Sequence, residues 1–192
     1  MSQKNLKSFR RLTRERLDLE IAHHEAGHAV VDLWNGIEVT TVVLCNESDP
    51  DYRGLSTAEV CPLQEITGEG LPGILAGPLA AIHFNGDEPT LGVIASRPEN
   101  SVDLAMAYDC ARKMYKESRR PKMVLQLPEV RWVEAVIPPD DGEEIEVQRL
   151  LERHVEYTTT QFVVANWNGI QAVAKALFKK RRLSGREVLQ LI

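Results

Sequence analysis

The chain has 192 residues, a net charge of −5, 43% hydrophobic and 27% charged residues. That length suits one domain with an ordinary buried core, and the composition argues against a disordered chain, a collagen or a disulfide miniprotein. With 23 Lys plus Arg against 28 Asp plus Glu there is no global basic field, so a dedicated nucleic-acid binder is not expected.

Residues 1–12 carry Lys4, Lys7, Arg10 and Arg11 with few apolar anchors and read as a basic, flexible N-terminal tail. Residues 13–192 read as a single domain. Thr13 suits an N-cap, and the apolar positions Leu17, Ile21, Ala22, Ala26, Ala29, Val30 and Leu33 recur at helical spacing up to the stop signal Asn35-Gly36, which predicts a helix over 14–34. Val39 to Leu44 is β-branched and apolar, and with Gly54 to Val60 it reads as a small hairpin or meander. Pro62 to Gly86 reads as mostly helical, broken near Gly70 and Pro72, and 87–100 as a connecting segment. Leu104, Ala107, Ala111 and Met114 mark one face of a helix over 102–114. Four prolines between 118 and 142 predict a long loop with one short strand at 132–137. Residues 144–178 read as one long helix, or two with a break near Asn168-Gly169. Lys179-Lys-Arg-Arg182 reads as a solvated turn, with docking of an acidic partner as the alternative, and Ser184-Gly-Arg-Glu187 is a capping-box pattern that opens a last short helix. The fold class is mainly α (α+β), with a small β element.

Three cysteines, Cys45, Cys61 and Cys110, form no C-x-x-C pair, which fits reduced thiols in the cytoplasm. The N-terminus has no apolar core for a signal peptide, and no apolar run reaches the ~18 residues of a membrane helix. A cytoplasmic protein without membrane contact is expected.

The chemistry concentrates in His24-Glu25-Ala-Gly27-His28, an H-E-x-x-H pattern. Residues four apart stack on one helix face, so His24 and His28 can share one metal ion. Glu25 lies about 100° around the helix from His24, where it suits a general base better than a ligand. Glycine in mid-helix costs roughly 1 kcal/mol relative to alanine, so Gly27 points to a close neighbour. His23 lacks a partner four residues on and reads as a supporting or surface histidine; His83 and His154 are isolated. The third ligand must come from elsewhere, since Val31 and Trp34 stand where a metzincin has Gly and His. Asp32 is the only acid one turn after His28. Asp103, in a first helical turn, could equally be complementing the helix dipole; Asp109, Glu99 and Asp87 are further candidates.

Ile21-Ala-His-His-Glu-Ala-Gly-His-Ala-Val-Val31 resembles the peptidase motif of the FtsH family of zinc metallopeptidases. The strand Val39 to Leu44, the segment Leu75-Ala-Gly-Pro-Leu-Ala-Ala-Ile-His-Phe-Asn-Gly86, the helix Asp103-Leu-Ala-Met-Ala-Tyr-Asp-Cys-Ala-Arg112 and the closing helices of 150–191 are similar to that family as well, so the likeness spans about 20–190. It implies a helical peptidase-like domain with one zinc ion per chain on His24, His28 and Asp103, and Glu25 as catalytic base. The chain lacks the family's membrane helices and ATPase module, and no G-x-x-x-x-G-K-S/T occurs in it. Pro78 and Leu79 replace the family's usual Gly and Arg.

The expected function is a stand-alone, ATP-independent zinc endopeptidase acting on unfolded or flexible polypeptides. The alternatives are a non-catalytic polypeptide-binding module and a peptidase subunit that needs a separate ATPase chain. A homo-oligomer is left open. The strand Val39 to Leu44 either pairs with an extended substrate or merely covers the motif helix.

Overall fold

The computed structural model describes residues 3–44, 54–58, 70–119 and 142–192. Helix α1, Gln3–Trp34, is 32 residues long and carries the H-E-x-x-H pattern. It starts ten residues before the expected N-cap, so residues 3–12 continue the helix and Thr13 lies inside it. The cause is compositional: Lys4, Leu6, Lys7, Arg10, Arg11 and Leu12 are good helix formers, with no Gly or Pro among them.

Strands β1, Val39–Leu44, and β2, Gly54–Ala58, pair antiparallel with a register running from Leu44 opposite Gly54 to Val39 opposite Ala58. Residues 59 and 60 of the expected strand, the possible helix before Gly70 and the strand expected at 132–137 lie outside the described residues. A third strand, β3, Arg182–Ser184, begins at the last residue of the expected solvated turn and pairs antiparallel with β1, placing Val42 opposite Leu183. The sheet order is β2-β1-β3. Strand β1 is therefore the inner strand, with both edges occupied over 41–43, and an extended substrate cannot pair with it there. Three residues give a periodicity argument nothing to work on. What makes β3 a strand is buried Leu183 and the β1 backbone beside it.

Helix α2, Leu71–Asn85, opens with Pro72 in its first turn and ends on Gly86 at φ 74, the expected Pro-start and Gly-stop asymmetry. Where a plain connection was expected, Thr90 caps a short helix α3, Leu91–Ala95, which a 3-10 turn, Pro98–Asn100, joins to α4, Ser101–Arg119. Helices α5, Gly142–Arg153, and α6, Thr159–Ala165, run on through a π turn at His154–Thr158. The break comes at Asn166, whose side chain donates to the Phe162 carbonyl, and α7, Trp167–Lys180, contains Gly169 within it. The capping box forms as expected, with Ser184 and Glu187 bonded reciprocally at the start of α8, Gly185–Leu189.

The core runs through α1, α2, α7 and the inner face of the sheet. Ala22, Ala26, Ala29, Val30, Leu75, Leu79, Val42, Ile170 and Leu177 are all fully or almost fully buried. Helix α1 lies principally against α2 and α7, and α4 against α2 and α5. A Cβ on Gly27 would stand 2.5 Å from the Ala76 carbonyl oxygen and 2.8 Å from the Ala80 methyl, so the mid-helix glycine is the contact through which α2 approaches α1. No helix among the described residues is long and apolar enough to cross a membrane.

Candidate metal centre

Two helices that both pack on α2 present three donor residues to one point. On α1, His24 and His28 face the same side, and their Nε2 atoms stand 3.1 Å apart. On α4, Asp103 brings Oδ2 to 3.1 Å from His24 Nε2 and Oδ1 to 3.7 Å from His28 Nε2. One ligand atom from each of the three residues lies within 4.8 Å of the others, so the group could hold a metal ion. The centre is partly open: the His24 and Asp103 side chains keep 14% and 19% of their exposure.

Helix α2 fixes the orientation of His28. Its Nδ1 donates to the Gly73 carbonyl at 2.8 Å, so Nε2 is the nitrogen that faces the cluster and can ligate once it gives up its proton. A carbonyl partner on the far nitrogen is the usual support for a histidine ligand. Four residues on, Gly77 makes room for the same ring, because a Cβ there would overlap His28 Nε2. Gly73, Gly77 and Gly27 are the functional residues that sequence reasoning passed over or used only in part. The signal for Gly73 and Gly77 was their i, i+4 spacing on one helix, and for Gly27 its place in mid-helix.

The electrostatics are those of a tightly coupled group. Burial opposes a proton on His28, but the hydrogen bond and charge of Asp103, with Glu25 and the Gly73 carbonyl, outweigh it and raise the pKa to about 9. Burial would likewise raise Asp103, yet hydrogen bonds from His24 and His28 hold its carboxyl well below the usual carboxylate range. The site thus favours positive charge beside the carboxylate, which is also what a cation supplies. Glu25 is buried, at 7% exposure, and its charge is felt at His28.

The remaining candidates fall elsewhere. His23 is not a surface or supporting group of this centre. It is buried, donates from Nδ1 to the Leu19 carbonyl at 2.7 Å, and stacks on Phe84 with ring centroids 4.2 Å apart. One residue is about 100° of helix rotation, enough to turn His23 from the metal face into the core. His83 lies edge-on to Trp167, and His154 is on the π turn. Asp109 pairs with Arg112, and Asp87 with Arg97. Asp32 lies against Gly73, and burial raises its pKa. Among the described residues, neither these acids nor Glu99 joins the group.

No protein-family model matches the chain, and no curated protein matches it either.

Proposed function

We propose that this protein is a zinc-dependent endopeptidase of the FtsH peptidase type, which cuts unfolded or flexible polypeptide without ATP. The observation that carries the reading is the convergence of His24, His28 and Asp103 on one point, with Glu25 the residue after the first ligand. The donor set fits zinc. Ligands at about 2.0–2.1 Å in a tetrahedron are about 3.3 Å apart; here the two Nε2 atoms are 3.1 Å apart, and Asp103 places one oxygen 3.1 Å from His24 Nε2 and the other 3.7 Å from His28 Nε2. Two imidazoles and one carboxylate leave a fourth position open, as catalytic rather than structural zinc requires.

Bound zinc would supply a Lewis acid for the scissile carbonyl and acidify the attacking water. The protein's own part is defined by residue. His28 is held in the ligating tautomer by Gly73. The Asp103 carboxylate lowers the net charge of the centre. The Glu25 carboxylate takes a proton from the attacking water and returns it to the leaving amide nitrogen, the work of a general base that becomes a general acid. Val102 and Met106, flanking Asp103 on α4, are 67% and 44% exposed and offer apolar surface beside the centre to a substrate that has no fold of its own.

The test is cleavage of a disordered, quenched-fluorescence polypeptide by zinc-supplied protein without ATP. Wild type should cleave, and Glu25→Gln should lose at least about 100-fold in rate, the usual share of a general base, while retaining zinc. Absence of cleavage by folded, zinc-loaded wild type would overturn the stand-alone endopeptidase. A binding module or an ATPase-dependent subunit would then remain.

A further inference from the structure

Helix α2 packs both on α1, which carries His24 and His28, and on α4, which carries Asp103, while α4 rests on α5 as well. A polar bridge joins the two sides. Arg97, at the entrance of the 3-10 turn that leads into α4, sends one guanidinium nitrogen to Glu20 Oε1 at 2.6 Å and the other to Asp87 Oδ2 at 2.5 Å. Glu20 stands one turn before His24 on α1, and its Oε1 also accepts from Asn85 Nδ2 at 2.7 Å, at the end of α2. The Arg97 and Glu20 side chains are only 18% and 21% exposed, so water competes weakly for the pair.

We propose that Arg97 is a positioning residue for the metal centre: by bridging Glu20 on α1 and Asp87 after α2, it holds the start of α4 where Asp103 reaches His24 and His28. The inference rests on the metal-centre reading above. The chemistry favours arginine for this task. Its planar fork spans two carboxylates in fixed geometry, whereas a lysine ammonium is a point charge on a flexible stem. The bridge lies one helical turn from His24 and six residues from Asp103, so it fixes the ligand elements and not the ligands themselves.

The test is zinc affinity by chelator competition in a double-mutant cycle on the full chain. Arg97→Ala should weaken zinc binding about tenfold, the lower end of what supporting residues of metal sites give. In an Asp103→Asn background the same change should cost nothing further, because the reach of Asp103 is what it sets. Arg97→Lys should recover only part of the loss. If Arg97→Ala lacks the wild-type circular dichroism, Glu20→Ala removes the same bridge from the α1 side and carries the same expectations. Wild-type affinity in the bridge variants, or an equal loss with and without Asp103, overturns the proposal: the bridge would then be general scaffolding. If wild type and Asp103→Asn bind zinc equally, the metal-centre reading fails and the bridge proposal falls with it.

Discussion

His28 is constrained at both ring nitrogens, by the Gly73 carbonyl at one and by His24 and Asp103 at the other. A residue held in this way has no spare volume, and Gly77 is where that can be tested. Gly77→Ala places a methyl group into the imidazole and must displace the ring or part α2 from α1, a change that typically costs 1–3 kcal/mol in a packed core. Zinc affinity, read by chelator competition, should fall, while Gly92→Ala, at a site with only a distant Thr90 hydroxyl nearby, should leave it unchanged. The placement of His24, Glu25 and His28 was legible in the sequence because they share one helix and follow its rotation. The role of Gly77 was not, because it depends on which helix crosses α1 and at what register.

At the level of elements, the sheet and the last helix depend on a few short-range bonds. The Ser184 hydroxyl accepts from Glu187 N at 3.3 Å, and Glu187 Oε2 accepts from Ser184 N at 2.8 Å. Ser184→Ala removes the cap and should cost about 1 kcal/mol in denaturant unfolding. The hydrogen bond from Lys180, then those from the Ser184 backbone and side chain, lower the Glu187 pKa from 4.5 to about 2. A carboxyl lowered in the folded state stabilises it fully above its ordinary pKa and loses that contribution as pH falls through the folded value. The stability difference between wild type and Glu187→Gln should therefore shrink from about pH 4.5 down to about pH 2, measured by urea titration at each pH. The capping box was written in the sequence, since its two members are three residues apart. Strand β3 was not, since it exists only because Val42 lies opposite Leu183, some 140 residues along the chain.

For the whole molecule, a metal at the centre would act as a cross-link. It would tie α1 to α4, two elements that otherwise meet chiefly through α2. A ligand that binds only the folded state stabilises it by about 2.7 kcal/mol at a hundred times its Kd. Zinc should thus raise the melting temperature by several degrees, at the rate of about 2–4 °C per kcal/mol expected for a chain of this size. A chelator should reverse the shift, and Asp103→Asn should reduce it, as read by scanning calorimetry. An equal shift in Asp103→Asn would mean that zinc acts at another site.

The sequence by itself determined what is local: the helical class, the histidine pair on one face of α1, the position of Glu25 beside it, the start of α2 and the cap of α8. These follow from spacings of three or four residues and from backbone chemistry that acts within one turn. Spacing left Asp103 one candidate beside Asp32, Asp109, Glu99 and Asp87, the family likeness implied it, and the tertiary structure is what brings it to the histidines. Only the tertiary structure decided that His23 belongs to the core, that β1 is an inner strand, and that Arg97 reaches Glu20 across 77 residues. Each of these depends on how helices and strands distant in sequence stack. That stacking is set by where the missing side chains of residues such as Gly27 and Gly77 let a neighbouring helix or ring approach, and no periodicity along the chain encodes it.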